Sequence, residues 1–172
     1  MTGLQKTCEL IEKTLGKSAA FRKVEQNLYV VKQGSSYVTI SVISGSRGDE
    51  GDSEKPLVRI YAQVVSGVNP EPALLKQLLT LNAKMRFGAF AFLPEGNLIL
   101  FVHTMLGGGH MDDKELVATV TDVALIADAY DDRIVARYGG RRMQDVIEDS
   151  ALKHILGEDS GDDDAWEATK NS

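Results

Sequence analysis

The stretch Leu106-Gly-Gly-Gly-His-Met-Asp-Asp-Lys-Glu-Leu116 gathers three glycines, a histidine and two aspartates in front of a run with helical periodicity. Groups of these types can cradle a phosphate, ligate a metal or simply turn the chain. A phosphate loop of the Walker kind closes its glycine-rich turn on Lys and then Ser or Thr, so that amides and a cation meet the phosphate together. Here the glycines lead into His110, Met111, Asp112 and Asp113, and carboxylates at that place repel an anion. For a metal, His103, His110, Asp112 and Asp113 offer nitrogen and oxygen ligands, but they do not fall at a strong ligand spacing such as two histidines one helical turn apart. A small-ligand or metal site near His103, His110 and Asp113, with an enzyme as one of its forms, stands as the alternative reading.

The structural reading uses more of these residues. Asp112 can accept from the amides of the first helical turn, and Glu115 can reach back to complete a capping box. Asp113 then sits near the positive end of the helix dipole. The glycines let the chain reverse from strand to helix at no steric cost. An anion bound at the same helix start would compete with Asp112 for the amides.

Other reactive groups form no stronger constellation. Cys8 lies on the apolar side of an N-terminal helix, where a buried and inert thiol is expected. The histidines at 103, 110 and 154 are far apart in the chain, and no nucleophile-elbow motif is present. Acidic residues between Gly45 and Asp52 lack the calcium-loop spacing. No catalytic residue and no cofactor is therefore assigned. The dense basic set Arg133, Arg137, Arg141 and Arg142 reads most simply as a solvated face paired with Asp131, Asp132 and Asp145. A sharper reading has the acidic C-terminal segment dock on it and compete with an acidic partner.

The elements that must position these groups follow from periodicity. Leu4, Cys8, Ile11 and Leu15 mark an amphipathic helix ended by Gly16. Strands are expected at 21–24, 28–31, 37–43 and 57–65 from their β-branched and aromatic composition, with a long loop at Ser44–Pro56. Asn69-Pro70 reads as a helix start, and the helix runs on through Leu74, Leu75, Leu78, Leu79 and Asn82. Strands at 87–93 and 98–105 flank a Pro94–Asn97 turn. A helix from Asp112 to Tyr138 buries Leu116, Val120, Val123, Ala127, Tyr130, Ile134 and Tyr138, ends at Gly139-Gly140, and precedes a final helix with Met143, Val146, Ile147, Ala151 and Ile155 inward.

Hydrophobic residues at 43% and charged ones at 26% place the chain among ordinary globular proteins. The net charge of −6 is uneven: the segment from Gly157 to Ser172 carries −5 and the rest only −1. A nearly neutral body lacks the basic footprint of a nucleic-acid binder. Residues 1–156 are expected to form one domain and 157–172 an acidic disordered tail. With one cysteine and no apolar run of membrane-spanning length, the expected setting is cytoplasmic, away from the bilayer.

The element order, together with Leu81-Asn-Ala-Lys-Met-Arg-Phe-Gly-Ala-Phe90, Glu95-Gly-Asn-Leu-Ile-Leu100 and Tyr130-Asp-Asp132, resembles the bacterial YbjN family over Leu4 to Gly140. That family is described in terms of sensory-transduction regulation and is similar in fold to the type III secretion chaperones. The resemblance implies an α+β protein, an antiparallel sheet with helices packed on one face, in the order α-β-β-β-(β)-α-β-β-α-α. It also implies a non-enzymatic protein-binding module, a chaperone-like adaptor or regulator that binds another protein and forms a homodimer. By analogy the dimer surface would comprise Leu74, Leu75, Leu78, Leu79, Phe90 and Phe92. Independently, an antiparallel sheet can keep one face or edge available to a partner segment.

Overall fold

The computed structural model describes residues 1–44 and 55–156. Most of the expected loop at 44–56 and the whole acidic segment 157–172 lie outside them. The chain runs α1 (Gly3–Leu15), β1 (Phe21–Glu25), β2 (Leu28–Gln33), β3 (Ser36–Ile43), β4 (Leu57–Ser66), α2 (Pro72–Lys84), β5 (Ala89–Leu93), β6 (Leu98–Leu106), α3 (Asp113–Tyr138), β7 (Arg141–Arg142) and α4 (Met143–Leu156). This is the expected α+β order with one addition, the two-residue β7.

All strand pairs are antiparallel, in the spatial order β1-β2-β3-β4-β6-β5, with β7 paired to the end of β4. Strand alternation then sorts side chains to two faces. Tyr29, Val31, Val38, Ile40, Val58, Ile60, Ile99 and Phe101 are buried on one face. Against them lie Leu116, Val120, Val123, Ala127 and Ile134 of α3, Ile11 and Leu15 of α1, and Leu74 and Leu78 of α2. At about 1.5–3 kcal/mol for each large aliphatic or aromatic side chain removed from water, this layer dominates the fold's stability. At about 1.5 Å per residue α3 spans about 39 Å, enough to cross the sheet. The residues beside α4, Lys32 and Tyr37, belong to the opposite parity, so this last helix lies on the outward side of the sheet, at the ends of β3 and β4, and is an exception to the expectation that the helices share one face.

Local signals explain most boundaries. Thr2 and Gln5 form a reciprocal capping box at the start of α1. Gly139 ends α3 at φ +74°, a conformation that costs a side-chain-bearing residue energy. The start of α2 departs from the expected position at Asn69-Pro70. Glu71 stands at the N-cap and Pro72 at the first helical position, because the Asn69 side-chain amide donates to the Glu71 carboxylate and leaves the first-turn amides uncapped.

Candidate functional site

The residues first singled out for chemistry fall in three separate places. His103 sits on the helix-covered face of β6, stacked on Phe87 with ring centroids 4.1 Å apart, and burial pushes its pKa down against a smaller upward pull from Glu115. His110 is exposed beside a hollow bordered by Lys6, Lys55 and Gly107–Gly109. Asp113 lies at the start of α3, near Thr14 of α1. Among the described residues no three His, Cys, Asp or Glu side chains gather where a metal ion could be held.

The glycine stretch is a joint between three elements. Gly107 is buried and its amide donates to the Pro56 carbonyl at 2.7 Å, just ahead of β4. Gly108 N–H donates to Thr7 Oγ1 at 2.7 Å, and that hydroxyl donates in turn to Gly3 O at 2.8 Å within α1. A Cβ on Gly107 would stand 2.8 Å from Thr7 Oγ1 and 3.0 Å from Pro56 O, so only glycine permits this approach. Asp112 caps α3 by accepting from Lys114 and Glu115 amides at 2.8 and 2.9 Å. The expected return contact from the Glu115 side chain is not formed; the aspartate alone caps this helix. Cys8 is half-buried, not fully enclosed, and its thiol lies 3.8 Å from Asn27 Oδ1.

The outward face of the sheet carries a different kind of site. Strand register places Arg22, Val30, Thr39, Tyr61, Val102 and Ala89 side by side across all six main strands. Next to this row stand Gln63, Leu100 and Ala91, and near the far end of the strands Ile43, Leu57 and Leu106. Most of these side chains are half-buried by their neighbours, while Arg22 is exposed and Leu106 remains 64% exposed. A mixed apolar and aromatic surface of this kind can pack against an extended segment.

The two edges of the sheet differ. On β5, Phe90 N–H donates to Asn82 Oδ1 at 2.7 Å and Asn82 Nδ2 donates to Phe90 O at 3.0 Å. The α2 side chain thus takes the place of a neighbouring strand and closes the middle of that edge. On β1, the Lys32 amide donates to Ala20 O at 3.1 Å, which directs the Val30 amide, and so the Arg22 pairing, inward. Antiparallel alternation then points the backbone N–H and C=O of Lys23 outward, away from β2. A β-bulge between Lys23 and Glu25 follows, and Lys23 itself pairs with Glu12 at 2.7 Å. The role of Asn82 was missed from sequence; an asparagine on the stripe that begins Leu74, Leu75, Leu78 was the available signal.

The basic set divides. Arg142 pairs with Asp145 at 2.7 Å and with Asp132 at 2.9 Å, which holds the Asp145 carboxyl below its usual range. Arg141 pairs with Asp149. Arg133 and Arg137 have no ion pair among the described residues and stack instead on Tyr130 and Tyr138.

The sequence pattern described as "T3SS (YopN, CesT) and YbjN peptide-binding chaperone 1" matches residues 5–146. The chain belongs to this TY-Chap1 family. Its members' label fits the outward face and open edge better than any reactive cluster. The crystal structure of the ExsC-ExsE complex contains a chain that superposes with a TM-score of 0.60 at 15% identity, covering 78% of this chain and 97% of that one. At that identity the likeness establishes the fold. No curated protein sequence matches the chain. By its family this TY-Chap1 protein is a peptide-binding, chaperone-like protein.

Proposed function

We propose that this TY-Chap1 protein holds a segment of another protein in extended form along β1 and across the outward sheet face, acting by binding and not by catalysis. The observation that carries this reading is the asymmetry of the sheet: Asn82 occupies the backbone groups of Phe90 on one edge, while the backbone of Lys23 on the other has no neighbouring strand among the described residues. Added strands gain affinity from main-chain hydrogen bonds and specificity from alternate side chains. Here alternate side chains of the added strand would meet Arg22 on the outward face and the α1 flank near Glu12 on the other, and the segment continuing across the face would meet Val30 and then Tyr61.

The same reading includes self-association. Leu74, Leu78 and Phe90 of the expected dimer surface are buried inside the protomer, at 1%, 5% and 6% exposure, so they belong to its own core. What remains for a second copy is Leu79, 69% exposed, with Leu75, Phe92 and the neighbouring Leu93. The proposed setting is the cytoplasm, where a single unpaired Cys8 is stable in reduced form. Among the described residues no helix is long and apolar enough to cross a membrane.

Photo-crosslinking in the native cell tests this. A crosslinker placed at Lys23 or Tyr61 should capture one protein segment, and one placed at exposed Leu125 of α3 should not. Equal capture at all three positions, or capture at Leu125 alone, would remove the proposed surface. Val102→Asp, which charges the centre of the outward face, should abolish capture at Tyr61.

A further inference from the structure

The cleft between α2 and α3 is not used by the strand-addition reading. It encloses about 180 Å³, with Leu78 and Ile134 in its floor and no acidic residue in its lining. Two guanidinium groups stand over it. Arg133 lies 5.5 Å from the Tyr130 ring centroid and Arg137 lies 5.4 Å from that of Tyr138, whose hydroxyl donates to Gln77 at 3.0 Å and fixes the ring. Stacking on a held ring limits the rotamers of an arginine, so its remaining N–H donors are presented in a defined direction. Both arginines are exposed and lack an ion pair among the described residues, in contrast to Arg141 and Arg142.

We infer that this cleft is the docking site for the chain's own segment Asp162-Asp-Asp-Ala-Trp-Glu167. The chemistry is complementary: carboxylates for two forked cations, and one large aromatic for an apolar floor. The segment also reaches. The helix α4 begins five positions past Tyr138 and extends about 21 Å, at about 1.5 Å per residue. Residues 157–163 can span about 23 Å when extended, enough to bring the aspartates back along the length of the helix toward Arg137. Bound in this way, the segment neutralises the two members of the basic set that have no ion pair among the described residues.

The full-length chain supplies its own probe, because Trp166 is its only tryptophan. Acrylamide quenching of Trp166 should be at least about two-fold weaker at low salt than at about 1 M salt, where the screening length falls to about 3 Å. The protection should not depend on protein concentration. It should be lost in the double variant Arg133→Gln/Arg137→Gln and in the triple variant Asp162→Asn/Asp163→Asn/Asp164→Asn. Quenching already as fast as that of free N-acetyltryptophanamide at low salt would overturn the proposal. So would protection that survives both sets of substitutions, or protection that grows with protein concentration and so reports a second copy. Should the arginine variant lose its circular dichroism signal, the triple variant decides, since it leaves residues 1–156 unchanged.

Discussion

Replacing Asn82 by alanine removes both hydrogen bonds that close the β5 edge, the 2.7 Å bond from Phe90 N–H and the 3.0 Å bond to Phe90 O. Each intramolecular hydrogen bond contributes about 0.5–1.5 kcal/mol net, and more is lost where the orphaned groups cannot reach water. Asn82 is half-buried, so water repays part of the loss, and Asn82→Ala should cost about 1–2 kcal/mol. For a domain of this size that lowers Tm by about 2–8 °C. The distinguishing readouts are local. The Phe90 amide should exchange with solvent faster than in the parent, while amides in β3 and β4 change only by the global loss. The uncovered edge should also pair with other chains, so higher-order species should appear by light scattering as concentration rises. Asn82→Asp should keep the bond from Phe90 N–H but set a carboxylate against Phe90 O, giving a protected amide in a protein still destabilised. If Asn82→Ala changes stability by less than about 0.5 kcal/mol, leaves Phe90 exchange unaltered and stays monodisperse, the edge is not held shut by this side chain.

Three further predictions concern the residues that first drew attention. Gly107→Ala should destabilise by about 1–3 kcal/mol in urea denaturation, because the added methyl meets the Pro56 carbonyl, which cannot move without shifting backbone, and the Thr7 side chain, whose turning aside would break its bond from Gly108 N–H. His103 has a folded-state pKa below its ordinary 6.5, so the unfolded chain binds its proton more readily; stability from this group is full above about pH 6.5 and is lost as pH falls through the folded value, and His103→Gln should flatten that slope. His110→Ala should leave Tm within about 0.5 kcal/mol equivalent of the parent, since the side chain is exposed, and added zinc should not raise Tm in either protein.

Much of the architecture was legible because it is set by local periodicity. The alternation in Tyr37–Ile43 and the stripe from Leu116 to Tyr138 survive as buried rows, apart from the half-buried Tyr130, since strand and helix periods place those residues on one side whatever they pack against. Asp112 could be read as a cap because capping is a contact within one turn. Legibility failed where a residue's role depends on chain distant in sequence. The helix start slipped from Pro70 to Pro72 because two prolines competed and a side-chain bond between Asn69 and Glu71 decided between them. The strand β7 is two arginines whose extended backbone exists only because Val65 and Ser66 lie alongside.

The candidate site shows the same division more sharply. From sequence alone the chain reads as an α+β protein with a nearly neutral body, an acidic C-terminal segment and no matching catalytic motif. Nothing local could show that Leu74, Leu78 and Phe90 face inward while Leu79 faces out, because an apolar stripe wide enough for a core looks the same as one wide enough for a partner. Nor could spacing show that Asn82 would meet Phe90, or that Arg142 would be neutralised while Arg133 and Arg137 were left to stack on tyrosines. Periodicity is a property of neighbours within a few residues, so sequence determined the elements and their inward faces. Which edge stays open, which charges stay unpaired and which leucines stay exposed are properties of the packed chain, and only the tertiary structure decided them.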